Sequence, residues 1–379
     1  MPRGSVKKLN TKRIIGLIRS NGAMSRTVLT EKLGVTPSTV TRLTNQMLED
    51  GLLSEVPDPT RFGKKGFPSK LLEIRSGSLL SGGVFIDPDR ILVGVADAQG
   101  NLLMEDEFPM EDRSFRDILT VASSKLSHQM ATLGKVAQDF IGCGISYPGQ
   151  HTHELGRVIR TPQLAHWPTI DVRTDLAPFF EMPVFQMNDA KAACLAEMQY
   201  GVCKSYQNFC YIWLSYGIGG AAVIDQNLYL GSHGSAAEFG GLFPKSRPRP
   251  SGQDLLDTLN GAGISYDHLG SVPAEIYGHK IVRDWTDRAT HQLQWLCLVI
   301  ARTYAPEAIV LGGSLAEPLI DEIVQRLADV TVLGEDFEIA PPVIVRATTD
   351  DRPHLGAAAL PLYSITNPSI HSGPAHKGL

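Results

Sequence analysis

Two segments between Pro183 and Gly241 constrain the fold of this chain more than any others. The first, PVFQMNDAKAACLAEMQYG, reads as a short apolar strand, Pro183 to Met187. It stops at an Asn-Asp pair and gives way to an Ala-rich helix from about Ala190 to Tyr200. The second, YIWLSYGIGGAAVIDQNLYLGSHGSAAEFGG, reads as an antiparallel hairpin. Apolar Tyr211 to Leu214 leads through Gly217, Gly219 and Gly220 into Ala221 to Ile224, which turns at Asp225-Gln226-Asn227. The segment ends in a Gly-rich loop with one acidic residue, Glu238. Open α/β sheets place ligands at strand ends and glycine loops. Asn188, Asp189 and Glu238 converging there supply an amide and two carboxylates, groups suited to binding sugar hydroxyls.

With 379 residues the chain has room for two or three domains. No uninterrupted apolar run of about 18 residues occurs, so no membrane span is expected. The start, MPRGSVKKLNTKR, is basic but has no apolar core behind it, which excludes a signal peptide. Cys143, Cys194, Cys203, Cys210 and Cys297 form no CxxC pair and read as small buried hydrophobes of a cytoplasmic protein. Charge is divided unevenly: 14 Lys and Arg stand against 6 Asp and Glu through Arg75, and 21 against 34 after it. A basic head on an acidic body indicates that the head alone meets nucleic acid.

The head, residues 1–75, has the pattern of a winged helix-turn-helix. Ile14, Ile15, Leu17 and Ile18 form one helical stripe. Ser25 caps a second helix whose inner face is Val28, Leu29 and Leu33, and Gly34 ends it. In VTPSTVTRLTNQMLEDGLL, Thr36 is an N-cap, Pro37 fits the first helical position, and Val40, Leu43, Met47 and Leu48 make the buried stripe. That leaves Ser38, Thr39, Thr41, Arg42, Asn45 and Gln46 facing outward, all side-chain types able to read base edges in the major groove. Leu52 to Val56 and Lys70 to Ile74 read as strands of a wing. Arg61, Lys64 and Lys65 at its tip are placed to hold phosphates or enter the minor groove of double-stranded operator DNA. The alternative is a small helical packing module with a solvated basic loop.

Ser76-Gly77-Ser78 marks a hinge to the body. Three strands, a helix from about Phe115 to Leu133 and a strand from Asp139 to Ile145 follow. A related order recurs after Phe209, ending in EAIVLGGSLAE. This suggests an internal duplication: two α/β lobes with a cleft between them. Residues 76–187 form the first lobe, 188–349 the second, 350–365 return to the first, and 366–379 form a loosely ordered tail. The apolar helix from Lys280 to Tyr304, with Trp285, Leu293, Leu296 and Ile300, suits either core or a dimer seam.

The body resembles the ROK family of repressors, open reading frames and sugar kinases. The motifs that carry the resemblance are GCGISYPG, GRVIRTPQLAHW, PVFQMNDAKAACLAE, YGIGGAAVIDQNLYLGSHGSAAEFGG, AIVLGGSL and HLGAAAL, in the family's order across residues 80–365. The resemblance implies an actin-like, hexokinase-like two-lobe α/β body. With a winged helix-turn-helix at its N-terminus, the chain resembles the family's repressor branch, which includes xylose and N-acetylglucosamine regulators.

The resemblance also implies a sugar site. Asn188 and Asp189 match the pair that grips sugar hydroxyls, Asp189 falling on the kinase general base, and Glu238 matches the carboxylate of a Gly-Glu-x-Gly-His loop. Gly156 and Thr161 match a loop over the sugar, in which Gln163 replaces a common asparagine. Asp254 is the nearest counterpart of a later sugar-binding Glu. An N-cap function alone is the competing account of Asn188 and Asp189.

Several departures argue against catalysis. Family kinases hold nucleotide phosphates on Asp-x-Gly-Gly-Thr; here the place reads Phe85-Ile86-Asp87-Pro88-Asp89. Two carboxylates and a proline without an N–H stand where donors are required. A second phosphate turn, Gly-Thr-Gly in kinases, is Ser215-Tyr216-Gly217, although Gly312-Gly313 is kept. Most family members carry a zinc site of Gly-His followed by CxCGxxGC. Here Gly241 takes the His position and LFPKSRPRPSGQDLLDTL contains no cysteine, while His233 and His268 read as surface histidines. The expectation is therefore a cytoplasmic repressor with neither zinc nor ATP. A sugar or sugar derivative in the cleft would control it, and it would pair as a homodimer or higher homo-oligomer. A fused sugar kinase and a repressor controlled by a protein partner are the alternatives.

Overall fold

A computed structural model describes residues 3–59, 70–111, 114–151, 157–160, 170–232, 234–329 and 340–367. Arg61, Lys64, Lys65, Gly156, Thr161, Gln163, His233 and the tail beyond Asn367 lie outside the described residues.

The head contains α1 (Arg3–Asn21), α2 (Arg26–Leu33), α3 (Pro37–Glu49), β1 (Leu53–Pro57) and β2 (Lys70–Ile74), the two strands pairing antiparallel. Its boundaries follow local chemistry. The Ser25 hydroxyl accepts from the Val28 N–H, Gly34 closes α2 at φ 65°, and the Thr36 hydroxyl accepts from the Thr39 N–H with Pro37 at the first turn. Of the expected inner face of α2, Leu29 and Leu33 are buried in the core, whereas Val28 is 37% exposed. Ile14, Ile18, Val40, Leu43, Met47 and Leu72 complete that core, which continues into the body through Ala98 and Leu362. A side chain of the body meets the join between head and body. Asp97 accepts from the Gly77 N–H at 2.7 Å while also closing its own turn onto the Gln99 and Asn101 N–H groups.

The first lobe contains β3 (Leu80–Ile86), β4 (Arg90–Ala96), β5 (Leu102–Pro109), α4 (Phe115–Thr132) and β6 (Phe140–Tyr147). A small antiparallel sheet of β7 (Gly149–His151), β8 (Arg157–Arg160) and β9 (Ile170–Asp171) precedes β10 (Val184–Asn188) and α5 (Asp189–Gln199). The second lobe contains β11 (Phe209–Leu214), β12 (Ile218–Ile224), β13 (Asn227–Tyr229), α6 (Gly252–Gly261), α7 (Lys280–Tyr304), β14 (Ala308–Gly313), α8 (Glu317–Ala328) and β15 (Val343–Arg346). α9 (Pro353–Thr366) follows. The expected hairpin after Phe209 is a three-stranded meander, because β12 continues through the Asp225-Gln226 turn into β13.

The two five-stranded sheets have one topology. Their orders are β10-β6-β3-β4-β5 and β13-β12-β11-β14-β15. In each, the first three strands form an antiparallel meander, and the fourth and fifth join parallel on the far side of the first. Buried apolar side chains on the first sheet pack against α4, and those on the second pack against α6, α7 and α8. α7 contributes Trp285, Leu293, Leu296 and Ile300 to that second core.

α9 and α5 lie between the sheets. The α9 backbone approaches the first sheet closely enough that a Cβ on Gly144 would meet the Ala357 carbonyl oxygen at 1.9 Å. On its other side, a Cβ on Gly356 would meet the Ala192 carbonyl oxygen of α5 at 2.1 Å. Small residues on α5 permit this. The helix is buried nearly all round, polar Asp189, Lys191 and Glu197 included. Such burial is tolerated only where each polar group finds a partner. Glu197 accepts from the N–H groups of Val202, Thr348 and Thr349 and from the Thr349 hydroxyl, which fixes α5 to the segment after β15.

Candidate functional site

A cleft of about 570 Å³ opens at the carboxyl ends of the strands, lined among others by Pro88, Pro148, Asn188, Asp189, Tyr216, Glu238 and Gly241. The parallel run β10-β6-β3 aims its strand ends at this cleft, so each loop that leaves them reaches it.

Asn188 ends β10 and caps α5: its Oδ1 accepts from the Lys191 N–H at 3.3 Å. The same side chain donates from Nδ2 to the Gly149 carbonyl at 3.0 Å and to Asp189 Oδ1 at 2.8 Å. Both Nδ2 hydrogens are thus taken, and the capping and ligand accounts are compatible only through the second lone pair of Oδ1. Asp189 is buried, and burial raises its pKa to about 6; the Lys191 charge opposes that rise and the Glu238 charge adds to it. Its neutral and ionised forms can thus both be reached near neutrality, where it can donate or accept a hydrogen bond.

Sequence reasoning missed Lys191. Its side chain is 1% exposed and its Nζ meets Glu238 Oε1 at 2.8 Å, joining α5 to the glycine loop after β13. The one signal in the sequence is a lysine in an Ala-rich helix, two residues beyond Asp189. Asp254 lines the cleft too, yet its carboxylate is engaged. Oδ1 accepts from Trp285 Nε1 at 2.9 Å and from Arg288, and Oδ2 accepts from the Arg249 N–H at 3.2 Å. It holds α6 to α7 rather than offering free lone pairs to a sugar.

The turn after β3 is occupied by contacts between the lobes. Asp87 is 2% exposed, accepts from the Ser314 hydroxyl at 3.0 Å, and has its pKa raised to about 7, first by burial and then by the Asp89 charge. The Tyr216 hydroxyl donates to Asp89, which also accepts from the Gly270 N–H at 3.2 Å. Tyr216 in turn accepts from the Leu269 N–H at 3.0 Å.

In the head, Ser38, Thr41, Arg42, Asn45 and Gln46 are exposed on α3, with Thr39 half-buried beside them. Asn45 accepts from Arg26 at 3.2 Å and Gln46 donates to Asp50 at 2.9 Å, contacts on an open surface that a base edge can displace.

Comparison with known proteins agrees with this architecture. Residues 82–253 match the ROK family and residues 8–54 match a winged helix-turn-helix DNA-binding family. The chain is 30% identical over 337 residues to the uncharacterised protein y4fQ of Sinorhizobium fredii, covering 87% of this chain and 83% of that one. This chain belongs to the ROK family. It is 27% identical over 235 residues to the xylose repressor of Bacillus spizizenii, a match spanning 62% of this chain and 60% of the repressor. Among solved structures, a ROK family transcriptional regulator homologous to the E. coli MLC protein superposes with a TM-score of 0.67 at 20% identity, covering 95% of this chain and 97% of that one. A ROK glucokinase from Streptomyces griseus, solved with glucose and AMPPNP, superposes with a TM-score of 0.59 at 21% identity over 74% of this chain and 98% of that one. The body thus has the hexokinase-like fold of the ROK family, and the head is a winged helix-turn-helix.

The ROK residues that hold other groups are altered in place. At the kinase phosphate turn, Asp87 and Asp89 present carboxylates, and the ring of Tyr216 fills the second turn, so this donor set does not fit a triphosphate. At the family's zinc position stand Gly241 and a cysteine-free loop, and His268 is exposed, so these residues do not fit the metal either. All five cysteines are free and buried elsewhere. Among the described residues no helix is long and apolar enough to cross a membrane.

Proposed function

We propose that this ROK protein is a DNA-binding transcriptional repressor of carbohydrate metabolism whose hold on operator DNA changes when a sugar or sugar derivative occupies the cleft. The observation that carries the reading is the position of α5. Its first turn holds Asn188 and Asp189 at the cleft, and its last residue, Gln199, accepts a hydrogen bond from Arg19 of the head. A ligand acts on the equilibrium between two arrangements only through its difference in affinity for them. Hydroxyls bound by Asn188 and Asp189 at the start of α5 and by Glu238, which Lys191 ties to the same helix, supply that difference if the ligand shifts α5. A site built from paired polar groups also rejects analogues that lack a hydroxyl, since its own donors and acceptors are then left unpaired.

The protein acts in the cytoplasm as a homodimer, with two heads reading half-sites related by two-fold symmetry. Ser38, Thr39, Thr41, Arg42, Asn45 and Gln46 meet base edges, and Arg61, Lys64 and Lys65 meet phosphates. Gly156 and Thr161 take part in sugar binding, while Asp254 positions the wall of the site. Asp189 hydrogen-bonds a hydroxyl and transfers no proton to a phosphoryl acceptor, because Asp87, Asp89 and Tyr216 fill the place of a nucleotide with contacts between the lobes. Neither zinc nor ATP takes part.

Fluorescence anisotropy on labelled genomic fragments, with and without a panel of sugars, tests the reading. One fragment is expected to bind in preference to bulk DNA and to respond to one sugar, and Asp189→Ala is expected to keep the first property and lose the second. No sequence preference together with no response to any sugar overturns it. Sugar-dependent ADP release in a coupled assay would instead favour a fused sugar kinase.

A further inference from the structure

The wall of the cleft beyond Glu238 carries a charge that binding of neutral hydroxyls does not require. Lys245, Arg247 and Arg249 line the cavity from the segment that follows Gly241. Among the described residues none of the three makes a side-chain ion pair, although the Asp254 charge acts on Arg249 and its carboxylate accepts from the Arg249 N–H. The acids around them are partly engaged: Glu238 with Lys191, Asp254 with Arg288, and Asp189 with the Asn188 amide. Asp257, which is exposed, accepts from Gln253 at 3.0 Å; among the described residues Asp189 and Asp257 are the lining carboxylates without an ion pair.

The segment is also held in shape. Phe243 packs edge-on against Trp295 with ring centroids 5.9 Å apart, and the Pro248 carbonyl accepts from Gln292 at 2.8 Å. Arg249 donates from Nη2 to the Gly240 carbonyl at 2.8 Å, while its Nε is buried without an acceptor. A buried guanidinium N–H without an acceptor is costly, and an anionic oxygen is the partner that relieves it most. Arginine forks recognise planar carboxylate and tetrahedral phosphate oxygens alike.

We propose that the effector is an anionic sugar derivative, with ring hydroxyls on Asn188, Asp189 and Glu238 and its phosphate or carboxylate held by Lys245, Arg247 and Arg249. This rests on the sugar-sensing reading and sharpens it. Asp87 and Asp89 are held by Ser314, Tyr216 and Gly270 and are not among the residues that line the cavity.

The test is calorimetric titration of the full-length protein with matched sets of hexoses, pentoses and N-acetylhexosamines. Each is offered as the free sugar, the 1-phosphate, the terminal phosphate and the uronic acid, with inorganic phosphate as a control. The best ligand is expected to be a charged member that binds about tenfold or more tighter than its neutral parent, an advantage that shrinks as salt rises. The double variant Lys245→Gln, Arg247→Gln changes two exposed side chains and is expected to remove that advantage without lowering the melting temperature. Comparison of the phosphate and uronic acid members identifies which anion is bound.

A neutral sugar that binds as tightly as its charged forms, with affinity lost in Asp189→Ala, overturns this inference and leaves the sensor standing. A charge preference that persists in the double variant and in Arg249→Gln also overturns it. Binding of inorganic phosphate equal to that of the sugar phosphate removes the sugar from the recognition. Failure of every set to bind counts against both the inference and the sensor.

Discussion

The Tyr216 hydroxyl donates to Asp89 and accepts from the Leu269 N–H at 3.0 Å, so one side chain joins the turn after β3 to the loop between α6 and α7. Removing it leaves a carboxylate short of a donor and a backbone N–H short of an acceptor. Tyr216→Phe is expected to lose about 1–2 kcal/mol of stability. Urea denaturation checks this: the midpoint falls and the slope stays constant if the contact alone is lost. An unchanged midpoint means that the clasp contributes nothing.

Asp87 gives the clasp a pH dependence of definite sign. Its folded-state pKa is raised to about 7, mainly by burial, above an ordinary value of 3.8. Between those values the folded protein binds more proton than the unfolded chain, so stability falls as pH rises through this window. Asp87→Asn keeps an oxygen to accept from Ser314 and cannot ionise. Its melting temperature is expected to exceed that of the parent at pH 8, with the difference narrowing toward pH 4. A difference that does not vary with pH excludes ionisation of Asp87 as the cause.

What the sequence made legible is what local chemistry decides. Thr36 and Pro37 announce the start of α3 because the cap and the first turn are neighbours in the chain, and the start of α5 at the Asn188-Asp189 pair is readable for the same reason. Partnerships across the chain were hidden. Asp87 and Asp89 read as groups that repel a triphosphate, yet their partners Ser314 and Tyr216 lie 227 and 127 residues away. Lys191 was missed because a lysine reads as solvated until the helix around it is known to be buried. Val28 was misplaced because a helix of 8 residues offers too few turns for periodicity to fix its inner face. At the Ser76-Gly77-Ser78 junction the sequence does not reveal that Asp97, twenty residues on, accepts from the Gly77 N–H.

The head yields a separate prediction. Thr36 accepts from the Thr39 N–H at 3.4 Å and its hydroxyl also meets that of Thr39 at 2.9 Å. Thr36→Ala is expected to cost about 1 kcal/mol and to weaken operator binding by loosening α3. Arg42→Ala leaves the fold unchanged and is expected to weaken operator binding more than binding to bulk DNA, the difference a base contact makes. An equal loss on both would assign Arg42 to phosphate instead. Salt titration provides the control, with a log-log slope near −0.9 for each phosphate contact kept.

Arg19 decides whether the head and the cleft are coupled. It leaves α1 of the head, lies 5.1 Å above the ring of Tyr363 on α9, and donates to Gln199 at the end of α5. Burial lowers its pKa, partly offset by the neighbouring Tyr200 and Tyr363, so the side chain is held within the body rather than on its surface. On the proposed reading, the Arg19 guanidinium is the direct side-chain link by which a shift of α5 would reach α1, beside the packing of α1 on α9. Arg19→Met keeps length and apolar packing while removing the charge and the donors. The variant is expected to fold, to bind operator DNA with near-parental affinity and to bind the sugar, yet to lose most of the sugar's effect on DNA binding. Coupling between two sites typically amounts to roughly 5–150-fold in affinity, and in this variant it should fall to about twofold. Paired anisotropy titrations with and without saturating sugar measure it directly. If the full response survives in Arg19→Met, the signal travels by another path, for which the Glu197 contacts to Thr348 and Thr349 are the next to break.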